Sequence, residues 1–103
     1  MLIARVIGSV VSTSKSDRLT GLKLLLVREI DLDTFREKGS PVVAIDTVGA
    51  GEGEVVMTCA GSSSRMTETT KDKPADCTIT AIIDSIDIGG RRIFDKHGQD
   101  GEN

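Results

Sequence analysis

Two short segments of this 103-residue chain carry the residue types from which chemistry could be built. The first, Asp46-Thr47-Val48-Gly49-Ala50-Gly51-Glu52-Gly53-Glu54, sets three glycines at alternate positions between carboxylates. The second, Gly61-Ser62-Ser63-Ser64-Arg65, is a run of small hydroxyls closed by a guanidinium. A glycine-rich loop can cradle phosphate on its backbone N–H groups, and a serine loop can hold a nucleophile. The spacing argues against both. A dinucleotide loop reads G-x-G-x-x-G and opens a helix, whereas this one reads G-x-G-x-G and runs into strand-like Glu54-Val55-Val56-Met57. No Lys-Ser/Thr pair completes a Walker loop, and Glu52 and Glu54 would repel phosphate. The serine run is not a G-x-S-x-G elbow, and the single histidine, His97, lies near the far end of the sequence. What remains is a pair of structural loops. Glycines there permit positive φ and close backbone approach, hydroxyls bond backbone groups, and Arg65 pairs with a carboxylate.

Other chemistries find less support. Metal ligation needs clustered Cys, His or carboxylates. Asp31 and Asp33 are close, but they share their segment with Arg28, Arg36 and Lys38, which reads as a solvated charged face. No metal or cofactor is expected. A net charge of −3 and only two aromatics, Phe35 and Phe94, count against binding nucleic acid by phosphate contacts or base stacking. The charge is uneven. Arg5, Lys15, Arg18 and Lys23 face only Asp17 in the first part of the chain, whereas Asp46, Glu52 and Glu54 have no cation nearby in sequence. Cys59 and Cys77 lack C-x-x-C spacing, and Cys59, in an apolar run, reads as a buried reduced thiol. Met1-Leu2-Ile3-Ala4 followed by Arg5 is not a secretory signal, and no apolar run approaches the ~20 residues of a membrane span. The expectation is a soluble cytoplasmic protein without a membrane partner.

The loops must be held by strands. Leu2 to Thr13 is rich in Val and Ile, with Gly8 as a bulge or bend. After a polar turn at Ser14–Asp17, Leu19 to Ile30 forms a second strand, and the two make a long hairpin. A charged connection, Asp31 to Gly39, leads to a third strand, Val42 to Val48, and the glycine loop joins this to a fourth, Glu54 to Ala60. The polar segment Ser62 to Asp76 has room for one short capped helix that Pro74 limits. Thr78 to Ile88 reads as a fifth strand, and Gly89-Gly90 turns it into a short one, Arg91 to Phe94. This is an all-β pattern, a small barrel or a sandwich. Leu24-Leu25-Leu26-Val27 and Ala81-Ile82-Ile83 are apolar on both faces, where a half-buried strand would alternate. In so short a chain the outward face calls for another copy.

Taken in order, these segments resemble the EutN/CcmL family, the pentameric vertex proteins of bacterial microcompartment shells, carboxysomes included. The likeness runs over nearly the whole chain. Ile3 to Thr13 looks like the family's first strand and Leu19 to Leu25 its second; Asp46 to Val56 is the family's hallmark and Gly61 to Arg65 its second motif. Pro74-Ala75-Asp76 with Ile82-Ile83-Asp84 fits the last part. Ser64 stands where the family usually has Ala. The resemblance implies a small five-stranded OB-like barrel with at most one short helix, spanning residues 1–94. The polar end, 95–103, has no aliphatic residue, is atypical of the family and reads as a mobile tail. The resemblance also implies a cyclic homopentamer with a narrow central opening, a structural and non-enzymatic role, and hexameric shell proteins as neighbours in a cytoplasmic microcompartment. Asp46, Gly49, Gly51, Gly53 and Glu54, with Gly61, Ser62, Ser63, Ser64 and Arg65, become candidates for the subunit interface or pore loop. Arg65 would pair with Asp46, Glu52 or Glu54. The rival reading is a small OB-type binding module for nucleic acid or a small ligand.

Overall fold

The computed structural model describes residues 1–13, 21–60 and 77–98. The described residues form eight strands and no helix. They are β1 (Leu2–Val10), β2 (Leu24–Asp31), β3 (Arg36–Glu37), β4 (Val42–Asp46), β5 (Val55–Ala60), β6 (Cys77–Ile82), β7 (Ser85–Ile88) and β8 (Arg91–Asp95).

Five of these strands close a barrel. The sheet runs β1-β5-β6-β4-β2, and β2 pairs back onto β1. Every pairing is antiparallel except β4 with β6, which lie side by side and parallel. The result is the five-stranded OB-like barrel that the family resemblance implied. Closure removes the open edges that would otherwise invite uncontrolled pairing. The two residues of β3 only extend β2, through Ile30↔Glu37 and Asp31↔Arg36.

Glycine sets the curvature of β1. The register of β1 on β2 runs Val6↔Val27 and then Gly8↔Leu26, so Ile7 is the extra residue of a bulge. A side chain on Gly8 would sit 3.6 Å from Leu26 Cδ1. The alternation then decides what lies inside. Ala4, Val6, Leu25, Val27, Ala44, Val56, Cys77 and Ile79 point inward and pack with Ala50 as one aliphatic core. Ile79 and Val56 are fully buried, each such side chain contributing about 1.5–3 kcal/mol.

Two departures from the sequence reading are informative. The stretch expected as one strand, Thr78 to Ile88, is two strands in different sheets. β6 ends at Ile82, the Ile83 N–H reaches back to the Val55 carbonyl, and Ser85 starts the separate β7–β8 hairpin. Neither Gly nor Pro marks that break. The second strand was expected from Leu19, but it starts at Leu24; residues 14–20, with the Ser14–Asp17 turn, lie outside the described residues. Cys59 is half-buried on the outward face of β5, Cys77 is buried in the core, and both are free thiols.

The hairpin is tied back to the barrel at three points. Lys96 N–H donates to the Asp84 carbonyl at the hairpin base (2.8 Å). Lys96 Nζ pairs with Glu54 of the glycine loop at 2.8 Å. Phe94 stacks on Phe35 with ring centroids 5.5 Å apart. Phe35 closes the β2–β3 turn with φ of +54°, a left-handed conformation that a bulky L-residue adopts only under strain. Arg5 covers the same ring from 5.7 Å.

Candidate functional site

The glycine loop joins β4 to β5 at one end of the barrel. The other end holds an apolar cavity of about 290 Å³ between the start of β1, the start of β4 and the end of β5. The loop is built on Asp46, the last residue of β4 and 9% exposed. Asp46 Oδ1 accepts the backbone N–H of Val48 (3.0 Å) and Gly49 (3.1 Å), and Oδ2 accepts that of Ala50 (2.9 Å). A carboxylate that collects three successive amides folds the backbone around itself. Gly49 completes the wrap with φ of +81°, open to glycine at no steric cost. Ala50 thereby turns inward and joins the core at 1% exposure.

The second half of the loop is a tight turn. Glu54 N–H donates to the Gly51 carbonyl (3.1 Å), with Gly53 at φ +92° in the third position, where a type II turn demands glycine. The Glu54 carboxylate closes it from outside, since Oε1 accepts the Gly51 N–H at 2.7 Å. Backbone bonds then fasten the turn to β1: Gly53 N–H to the Val6 carbonyl (2.8 Å), and Val6 N–H to the Glu54 carbonyl (2.9 Å). Arg5 Nη1 donates to the Gly53 carbonyl (2.8 Å). Gly51 itself has no left-handed φ, and a Cβ there would meet only Glu54 Oε1 at 3.6 Å, ordinary contact.

The anions of the loop have cations that sequence proximity hid. Lys23, just before β2, places Nζ 3.3 Å from Asp46 Oδ2 and 3.0 Å from the Ala50 carbonyl. Its own carbonyl accepts the Asp46 N–H (2.9 Å). Lys96 holds Glu54 Oε2. The Lys96 hydrogen bond, then the Gly51 N–H, pull the Glu54 carboxyl below its ordinary value, and the Glu54 bond raises the Lys96 ammonium in turn. The Asp46, Gly49, Gly51, Gly53 and Glu54 group is therefore one continuous, internally bonded unit. Gly61, Ser62, Ser63, Ser64 and Arg65 lie outside the described residues, as does any pairing of Arg65. Lys23, Lys96 and Arg5 were not singled out from the sequence. Only the isolated Lys in the polar approach to an apolar strand hinted at the first. Of the expected tail, residues 99–103 lie outside the described residues, while Asp95 closes β8 and Lys96 makes the contacts above.

The arrangement is a fixed protrusion of backbone and two neutralised carboxylates. It has the rigidity of a contact surface. Among the described residues no group of three or more His, Cys, Asp and Glu side chains could hold a metal ion.

Known proteins match this chain along most of its length. The family described as "Ethanolamine utilisation protein EutN/carboxysome" matches residues 1–84. The carboxysome shell vertex protein CcmL of Synechocystis sp. is 41% identical over 100 residues, which cover 93% of this chain and 95% of that protein. The structure of Gloeobacter violaceus CcmL superposes with a TM-score of 0.89 at 35% identity, covering 95% of this chain and 100% of that one. GrpN, a pentameric microcompartment shell protein from Rhodospirillum rubrum, superposes with a TM-score of 0.75 at 40% identity, covering 85% and 99%.

Proposed function

Since the chain belongs to the EutN/CcmL family, we propose that its work is geometric: it forms the homopentamers that occupy the vertices of a bacterial microcompartment shell. The observation that carries this is the likeness to GrpN, a pentameric shell protein, at 40% identity over nearly that protein's whole length. Relatives named as shell vertex proteins come from carboxysomes and from other microcompartments alike. They favour the vertex reading over a nucleic-acid or small-ligand module.

The physics of the role is as follows. Six-fold units tile a plane, and a plane closes into a polyhedron only where five-fold units replace them. A five-membered ring needs a head-to-tail interface, in which one patch meets a different patch on the next copy and the rotation closes. A closed barrel suits this task, because its shape is fixed by complete strand pairing rather than by a partner. The glycine loop, held by Asp46 and Glu54, supplies a rigid projection at one end of each barrel. In this reading Gly49 to Glu54 stand at the junction between copies or around the central opening, and Gly61 to Arg65 share that place. The neighbours at the rim are hexameric shell proteins, the charged Asp31 to Lys38 segment contributes polar contacts there, and the compartment is cytoplasmic. The role is structural, without catalysis.

Co-expression with a sheet-forming hexameric shell protein tests the reading. Electron microscopy should find closed polyhedral particles when the chain is present and open sheets or tubes when it is absent. The same particles in both cases would refute it.

A further inference from the structure

We propose that the β7–β8 hairpin is a strut that couples the glycine loop to the charged Asp31–Lys38 segment, so that a partner or ligand pressing on one of these surfaces is felt at the other. The device lies within a single chain. Its parts are two anchors on one ribbon and an arginine that closes the circuit behind them.

The anchors stand two residues apart at the end of the hairpin. Phe94, in β8, stacks on Phe35 of the Asp31–Lys38 segment with ring centroids 5.5 Å apart. Lys96, just past β8, places Nζ 2.8 Å from Glu54 Oε2, and the other oxygen of that carboxylate holds the Gly51 N–H. Arg5, on β1, joins the same two surfaces from the barrel wall. Its guanidinium covers the Phe35 ring at 5.7 Å, its Nε lies 3.6 Å from Glu37 Oε2, and its Nη1 donates to the Gly53 carbonyl at 2.8 Å. The contacts therefore run in a closed path. They pass from Gly53 and Glu54 through Lys96 and Phe94 to Phe35, and return through Arg5.

Two observations make this path a coupling rather than a set of separate contacts. The hairpin is a two-stranded sheet of its own, and such a ribbon is at best marginally stable in water. It is ordered by what it packs against: Ile86, which pairs with Phe94, is half-buried, whereas Ser85, Asp87 and Ile88 are exposed. Each anchor holds the ribbon at high local concentration for the other, so loss of one weakens both. The second observation is the strain at Phe35, whose φ of +54° a bulky L-residue keeps only while its surroundings impose it. The turn there, closed by the Phe35 N–H on the Asp31 carbonyl (2.7 Å), has a relaxed alternative once Phe94 departs. The hairpin thus supplies what transmission requires, an element with a docked and an undocked state that both surfaces bias. Coupling of this kind is reciprocal.

Hydrogen exchange of the full chain at one fixed concentration tests the strut. The Gly51 amide, held by Glu54, reports the glycine loop. The amides of Phe35 and Lys38, bonded to the Asp31 and Glu29 carbonyls, report the charged segment. K96M cuts only the anchor on Glu54, yet it should speed exchange at Phe35, Lys38 and the hairpin by a common factor of about two to five. F94L cuts only the anchor on Phe35, yet it should speed exchange at Gly51 by about three- to tenfold. These amides should depend on denaturant less steeply than those of β5, which open only with the barrel. The strut is refuted if K96M leaves Phe35 and Lys38 unchanged, or if F94L leaves Gly51 unchanged. Equal denaturant slopes for these amides and those of β5 would also refute it, because the change would then lie in global unfolding. Should circular dichroism show F94L unfolded, K96M decides on the same terms, since Lys96 is an exposed residue.

Discussion

Asp46 is the residue on which the glycine loop most depends, and D46N isolates why. The substitution keeps size and shape but replaces one acceptor oxygen with a donor and removes the charge. Val48 and Gly49 are exposed, so water can take over their N–H groups, at a loss of about 0.5–1 kcal/mol each. Ala50 is different. It is 1% exposed, and its N–H would be left facing an amide NH₂ or nothing, which costs about 1–3 kcal/mol. The Lys23 contact adds little, about 0–1 kcal/mol, because that side chain is 55% exposed. The sum is about 2–6 kcal/mol. Denaturant unfolding at one fixed protein concentration measures it, since oligomer stability depends on concentration. D46A should lose a similar amount. If D46N unfolds within about 0.5 kcal/mol of the native protein, amide capture is not what holds the loop, and the reasoning fails.

Three further outcomes follow from the same geometry. G53A should destabilise by about 1–2 kcal/mol because its φ of +92° is left-handed, whereas G51A should be nearly silent in denaturant unfolding; equal losses would contradict the turn assignment. A double-mutant cycle of F35A and F94A should return a coupling of about 0.5–1.5 kcal/mol, and a coupling near zero would mean the stacked pair does not anchor the hairpin. The Glu54 carboxyl should titrate below its ordinary 4.5 by carbon-detected NMR. Its folded value is depressed, so the stability it contributes is present above the ordinary value and is lost as pH falls through the folded one. In K96M the titration should move back up, and an unchanged midpoint would remove the Lys96–Glu54 contact from the account.

The sequence carried the barrel because the evidence for it is local. Val- and Ile-rich alternation marked the strands, Gly8 marked the bulge, and the family hallmark from Asp46 to Val56 marked the loop. The glycines needed for positive φ were also legible as a group, though the structure requires it at Gly49 and Gly53 and not at Gly51. What stayed hidden depends on closure. Lys23 reaches Asp46 only because β2 lies beside β4, and Lys96 reaches Glu54 only because the hairpin folds back. The break after Ile82 was invisible for the same reason. Thr78 to Ile88 contains neither Gly nor Pro, and the chain leaves the barrel where β5 runs out of rungs rather than at a breaker residue. Phe35 at positive φ opposes its local preference outright, and the stacking of Phe94 and the cover of Arg5 are the tertiary contacts that hold it.

Native mass spectrometry of the purified full chain tests the central claim most directly. The account predicts a dominant species of five chains of 10.9 kDa each, unchanged when a single-stranded oligonucleotide is added. A monomer, or a species that takes up the oligonucleotide, would contradict it.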